Sequence, residues 1–265
     1  MKIGVTGITG KMGRTIARLI IENSLVELSC GLTRQGGQNE GEDFAEFLGY
    51  TKSGAKIISD IDQFVQNSDA IIDFSAPALS LELARKCAEH GRVLVCGTTG
   101  FSDSEKQKFA LNAEKCVIIW SSNMSVGVNL LINLAEKVAS VLHDDFDVEI
   151  FEMHHKNKVD APSGTALSLG AAVAQGRGVD LKTVAQMARV GQNNERQKGE
   201  IGFCSLRGGD VVGDHSVIFA GDGERIELTH KASNRDVFAK GAIRAAIWGS
   251  AKKPGFYSMR DVLNV

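Results

Sequence analysis

Lys2-Ile3-Gly4-Val5 runs directly into Gly7-Ile8-Thr9-Gly10-Lys11-Met12-Gly13, and apolar Ile16, Leu19 and Ile20 follow at helical spacing. A buried strand, a glycine turn and a helix in that order leave few folds open. N–H groups at a helix start bind anions, and glycine lets a pyrophosphate come against the backbone. The spacing is GxxGxxG, which also suits a tight turn that serves only helix packing. Its place directly after an N-terminal strand points to a dinucleotide.

The alternation continues beyond that turn. Residues 26–32, 69–74, 92–96 and 117–120 read as strands, and residues 79–90 and 102–113 as helices. Residues 35–56 are glycine-rich and polar and read as a surface excursion. Strands alternating with helices imply a doubly wound parallel sheet, with ligands beyond the carboxyl ends of its strands. Three loops emerge there: the glycine turn, Gly97-Thr98-Thr99-Gly100-Phe101 and Ser121-Ser122-Asn123-Met124-Ser125. Threonine, serine and asparagine at such ends bond a nicotinamide amide or ribose, or close a turn. The second strand ends at Thr33-Arg34. An acid there holds ribose hydroxyls, whereas an arginine suits a 2′-phosphate.

The alternation stops after a long apolar-periodic helix at residues 127–142. Residues 184–190, 199–206, 211–220 and 225–232 then read as strands with few helices between them. This is a smaller α+β region with an open sheet, whose uncovered face suits a subunit interface. Residues 236–248 are helical again and are expected to rejoin the first domain, giving residues 1–125 completed by 236–265, and residues 126–235.

With 43% hydrophobic and 23% charged residues among 265, the chain has material for two cores. A formal charge of -2 gives no general attraction to nucleic acid or an anionic membrane. The five cysteines lack a CxxC pair and read as reduced core residues. There is no membrane-length apolar run and no cleavable signal, so a cytoplasmic location is expected.

The chemistry concentrates in His154-His155-Lys156-Asn157-Lys158-Val159-Asp160-Ala161-Pro162-Ser163-Gly164-Thr165-Ala166, between a strand at 147–153 and a helix at 166–174. Pro162 suits a helix start and Ser163 a cap, so the N–H groups near Gly164 and Thr165 offer an anion cradle. His154 suits a general acid, because imidazole titrates near neutral pH. Lys158 supplies a cation. A zinc site from His154, His155 and His215 or His230 is disfavoured, because adjacent histidines rarely reach one metal, and no metal is expected. A covalent-cysteine oxidoreductase is also disfavoured, as no cysteine lies in a loop near the histidines. A nucleotide sensor would keep the glycine turn without needing His154 and Lys158.

These motifs, with Asn123-Met124-Ser125-Val126-Gly127-Val128-Asn129, His230-Lys231-Ala232-Ser233-Asn234-Arg235 and residues 257–263, resemble the dihydrodipicolinate reductase family along essentially the whole chain. The resemblance implies a Rossmann-type domain plus a substrate and oligomerisation domain with an open mixed sheet. It implies NADH- or NADPH-dependent reduction of 4-hydroxy-tetrahydrodipicolinate to tetrahydrodipicolinate in lysine and diaminopimelate synthesis. His154 and Lys158 would then deliver the proton, with His155, Ser163, Gly164 and Thr165 binding substrate. Gly7, Ile8, Thr9, Gly10, Lys11, Met12, Arg34, Gly97, Thr98, Thr99, Ser121, Ser122, Asn123 and Met124 would line the cofactor. A homotetramer is implied as well. Two positions depart from common family patterns: Thr33 stands where an acid is frequent, and Ala76 where some relatives have arginine. Both bear on the choice between NADPH and NADH.

Overall fold

In the computed structural model, which describes residues 1–37, 39–192 and 195–265, the chain divides into two units. One comprises residues 1–126 and 235–264, the other residues 127–234 and Val265.

The first unit begins with β1 (Lys2–Val5), α1 (Lys11–Ile21), β2 (Glu27–Leu32), α2 (Phe44–Phe47), β3 (Lys56–Ile58), α3 (Ile61–Gln66), β4 (Ala70–Asp73), α4 (Pro77–His90), β5 (Val93–Cys96), α5 (Asp103–Leu111) and β6 (Val117–Trp120). Residues of β4 and β5 are buried throughout, as strands covered on both faces must be, and this explains their continuous apolar reading. Pro77 opens α4 with φ already preset, and left-handed Gly91 ends it. The excursion at 35–56 is more ordered than its composition suggests. Asp43 caps α2 and also accepts from the N–H groups of Ser53 and Gly54, and this brings fully buried Phe44 into the core. Gln38, within that excursion, lies outside the described residues.

The second unit follows with α6 (Val126–Leu142), β7 (Asp147–His154), α7 (Gly164–Arg177), α8 (Leu181–Val184), β8 (Ala185–Gln186), β9 (Ile201–Arg207), β10 (Gly213–Gly221) and β11 (Glu224–Ala232). Then α9 (Asp236–Gly249), β12 (Gly255–Tyr257) and α10 (Met259–Leu263) belong to the first unit.

The first unit's sheet has strand order β12-β6-β5-β4-β1-β2-β3, parallel at every pairing. Its order reverses between β1 and β4, the switch point where such sheets bind ligands. Two apolar clusters cover its faces. At Gly13 a Cβ would come within 2.3 Å of the Gly7 carbonyl oxygen, so close seating of α1 on the turn requires glycine there.

The second unit's sheet is mixed, in order β11-β10-β7-β9-β8, with β7 and β8 parallel to β9 and antiparallel pairs on the other side. Val148, Ile150, Phe203, Val217 and Phe219 face a core shared with α6 and α7. Phe151, Met153, Cys204 and Leu206 alternate onto the opposite face, so Cys204 is exposed and is not the core residue the sequence suggests. The expected strand at 184–190 is only the two-residue β8. Beyond it Arg189 reaches Glu149 and Glu200, an ion-pair arrangement that replaces further ladder.

Candidate active site

Strand β7 puts Val148, Ile150, Glu152 and His154 on one face, because side chains alternate along a strand. The last two of that series are polar and still buried. Glu152 is 1% exposed, and its Oε2 lies 2.5 Å from His154 Nδ1. Arg207, paired with His154 across the β7–β9 ladder, donates to both Glu152 oxygens at 2.9 Å, and the Ser163 N–H reaches Oε1 at 3.2 Å. Burial opposes ionisation of Glu152, but the Arg207 fork and the imidazole hold its carboxyl down at about 2. A buried charge needs such partners, and here it has them.

Glu152 on Nδ1 orients the ring. His154 Nε2, which makes no hydrogen bond among the described residues, is therefore the nitrogen able to serve a ligand. Gly213 sits opposite it, where a Cβ would come to 3.0 Å from Nε2. Burial lowers the His154 pKa below its ordinary value, with Glu152 opposing and the charges of Lys158 and Arg207 adding to the fall. His215, paired with Glu152 across the β7–β10 ladder, packs edge-on against His154 at 5.0 Å between ring centroids. Burial and the neighbouring imidazole push its pKa down to about 4.

Ser163 links the Glu152–His215 cluster to the helix start. Its hydroxyl accepts from the Ala166 N–H at 3.1 Å as the cap of α7 and bonds His215 Nε2 at 3.1 Å. Its hydroxyl and its N–H are both engaged and the residue is 2% exposed, so Ser163 braces Glu152, His215 and the start of α7. Pro162 precedes the cap, so it does not occupy the first helical position; α7 begins at Gly164. A Cβ at Gly164 would meet open space, so the helix start is accessible. Thr165 follows in its first turn, and His155 Nδ1 is buried without a partner among the described residues. Lys158 Nζ is paired to Asp160 at 2.7 and 2.8 Å.

The first unit holds a separate feature beyond the carboxyl ends of its strands. A cavity of about 1020 Å³ is lined by Gly7, Ile8, Thr9, Thr33, Arg34 and Ala76 among others. Gly10 caps α1 without a side-chain hydrogen bond, so no side chain fills the helix start, and left-handed Gly7 turns the chain beneath it. This cradle fits a dinucleotide pyrophosphate. Lys11 is exposed beside it, while Met12 packs partly on the core.

The other two loops do not line this cavity. Thr98 is buried, its hydroxyl donating to Asp73 at 3.2 Å and accepting from the Ser75 N–H at 3.1 Å. Its carbonyl takes the Trp120 indole N–H, so Thr98 shapes the turn between Gly97 and Thr99. Met124 is a core residue, and Ser121 bonds the Asn123 carbonyl within its own turn, next to Ser122.

Sequence reasoning assigned no role to Glu152 or Arg207, and offered His215 only as a disfavoured zinc ligand. The signal for Glu152 was available: a charged residue in phase with buried Val148, Ile150 and His154. Arg207 and His215 are brought in by strand pairing, which no local pattern reveals.

A glycine-turn parallel sheet with a pyrophosphate cradle, in one chain with a carboxylate-backed imidazole, defines a nicotinamide-dependent oxidoreductase. Family profiles described as dihydrodipicolinate reductase, N-terminus, and dihydrodipicolinate reductase, C-terminus, match residues 1–124 and 127–263. The chain belongs to the dihydrodipicolinate reductase family. It is 48% identical to the 4-hydroxy-tetrahydrodipicolinate reductase of Roseobacter denitrificans, covering 100% of this chain and 97% of the relative. Its identity to the protein of that name from Beijerinckia indica is 49%, covering 100% and 98%. Among solved structures, the dipicolinate-bound dihydrodipicolinate reductase of Paenisporosarcina sp. TG-14 is similar, at 25% identity and a TM-score of 0.76 over 97% of each chain.

Proposed function

We propose that this chain reduces 4-hydroxy-tetrahydrodipicolinate to tetrahydrodipicolinate. The ring hydroxyl leaves as water while one hydride and one proton are added. The observation that carries this reading is the Glu152–His154 pair beside the open start of α7, in a chain 48% identical over its whole length to a relative bearing that activity's name. When bound, the reduced nicotinamide supplies the hydride.

The chain's own residues do the rest. Gly7 through Met12 and Arg34 hold the dinucleotide, with the turns at Gly97–Thr99 and Ser121–Met124 shaping its surroundings. Backbone N–H groups at Gly164 and Thr165 take one ring carboxylate, where a helix start favours negative charge. His155 Nδ1, buried and without a partner among the described residues, bonds the substrate. Lys158 exchanges Asp160 for a second carboxylate and keeps positive charge beside the ring. His154 gives its Nε2 proton to the ring, and Glu152 stabilises the cationic ring before transfer.

The second unit also supports a homo-oligomer, taken as a tetramer. Among the described residues its sheet has α6 and α7 on one face only, and Phe151, Met153, Cys204 and Leu206 lie side by side on the other. A stable monomer at micromolar concentration by light scattering would refute this. The function itself is tested by following nicotinamide absorbance while a dihydrodipicolinate synthase generates substrate from pyruvate and aspartate semialdehyde. Oxidation dependent on both the synthase and this chain is expected, and its absence would overturn the proposal.

A further inference from the structure

Asp73 ends β4 and is fully buried, yet no lysine, arginine or histidine is within ion-pair distance among the described residues. Glu152, the comparably buried carboxylate of the second unit, has a guanidinium and an imidazole. Asp73 instead takes four hydroxyls. Thr6 and Ser75 donate to Oδ1 at 2.7 and 2.6 Å, while Ser80 and Thr98 donate to Oδ2 at 2.5 and 3.2 Å.

Those hydroxyls come from four segments. Thr6 follows β1 and immediately precedes Gly7, Ser75 follows β4, Ser80 lies on α4, and Thr98 follows β5. Three of them have a second partner, Ser80 Oγ lying 3.2 Å from the Ala76 carbonyl oxygen. Thr6 Oγ1 also accepts from the Phe74 N–H at 3.3 Å, and Thr98 Oγ1 from the Ser75 N–H at 3.1 Å. The result is a closed network across the ends of β1, β4 and β5, on the side where Gly7, Ile8, Thr9, Ser75 and Ala76 line the cavity. Burying a carboxylate is costly unless every lone pair is used, and an ordinary core position would carry an apolar residue instead.

We infer that Asp73 is a positioning residue for the dinucleotide. It registers the Gly7 turn, the Ser75–Ala76 segment and the Thr98 turn as one cradle before any ligand arrives. The inference rests on the reading that this unit binds a nicotinamide dinucleotide. An acceptor-only group is required, since four hydroxyls and the Cys96 thiol, 3.7 Å from Oδ2, converge on two oxygens. An asparagine of the same shape offers one oxygen and two N–H donors, so two of the hydroxyls must turn their protons away. The cradle then loses its register while its volume is unchanged.

The test is direct titration of the purified protein with NADPH and with NADH, read by nicotinamide fluorescence, beside steady-state kinetics. Asp73→Asn is expected to raise the Kd of both nucleotides about tenfold or more and to leave kcat at saturating nucleotide within about threefold. Thr6→Val and Thr98→Val, which remove one hydroxyl each, are expected to give smaller rises in the same direction. A residue that only stabilised the fold would lower the melting temperature and leave the Kd of the folded protein unchanged. That result in Asp73→Asn would overturn the inference. If Asp73→Asn does not fold, unchanged nucleotide Kd in both threonine variants overturns it equally. Failure of the wild-type protein to bind either nucleotide would instead remove the reading beneath it.

Discussion

The Glu152 carboxylate lies 2.5 Å from His154 Nδ1 and is itself gripped by both nitrogens of the Arg207 fork, so the His154 ring, the proposed proton donor, leans on a buried ion pair. Its charge opposes the fall that burial imposes on the His154 pKa. Removing the charge must therefore move the ring's titration further down. In Glu152→Gln, the pH at which kcat/KM falls on the alkaline side is expected to shift to lower pH, and turnover at pH 7 to drop by about tenfold or more. A pH–rate profile with an unmoved midpoint would dissociate Glu152 from the donor.

His154→Gln is expected to lower kcat by about 10²–10⁴-fold, the range for a positioned acid, with nucleotide affinity little changed. Lys158→Met removes the cation proposed to hold a substrate carboxylate, a contact worth roughly 2–5 kcal/mol when buried, and is expected to raise KM as well as lower kcat. Single-turnover kinetics on both variants separate proton delivery from binding. Near-normal turnover in His154→Gln would place the acid elsewhere, with His155 first in line.

What the sequence disclosed about this site and what it hid follow from the distance over which each relationship acts. The glycine turn and the segment from His154 to Ser163 are local patterns, and strand–turn–helix order was enough to place them. The Glu152 cluster is assembled by register instead: His154 faces Arg207 across one ladder, and Glu152 faces His215 across the other. No spacing along the chain encodes those pairings. Phe44 was hidden differently, since a glycine-rich and polar neighbourhood masked a fully buried ring that Asp43 draws inward. Val184 to Val190 has strand composition, but a strand also needs a partner, and β9 offers one for two residues.

His215 makes stability depend on pH. Its pKa lies at about 4 in the folded protein against 6.5 for the free group, so the folded state binds fewer protons than the unfolded one between those values. The associated stability is fully present above pH 6.5 and is lost as pH falls toward 4. Between pH 7 and pH 5 this amounts to about 2 kcal/mol for a single such group, and His154, also lowered, adds in the same direction. Urea unfolding at the two pH values is expected to show that loss in the wild-type protein and a smaller one in His215→Asn. Equal losses in both would assign the pH dependence to other groups.

Cofactor choice turns on the tip of β2, where Thr33 and exposed Arg34 line the cavity with Ser59 and Ala76. A carboxylate at this tip would hold both ribose hydroxyls of NADH and repel a 2′-phosphate; the hydroxyl of Thr33 accommodates either, and the fork of Arg34 favours the phosphate. The fold adds an opposing charge that the sequence order conceals. Glu40 turns back so that its carboxylate accepts from the Gly36 N–H at 3.0 Å and from the hydroxyl of cavity-lining Ser59. A charge-assisted bond from Arg34 is worth roughly 1.5–3 kcal/mol, whereas repulsion from a solvated carboxylate several ångströms away is on the order of 0.5 kcal/mol. Arg34 therefore outweighs Glu40, and NADPH is expected to be used at least as well as NADH. Arg34→Ala should raise KM for NADPH by about tenfold or more and that for NADH by less than about threefold, since ~1.4 kcal/mol is one decade. Glu40→Gln should move the NADPH to NADH ratio of kcat/KM up by about two- to threefold, without altering the NADH value beyond that range. Equal loss of both cofactors in Arg34→Ala would mean that the guanidinium stacks on adenine, and a wild-type preference for NADH would refute the phosphate contact outright.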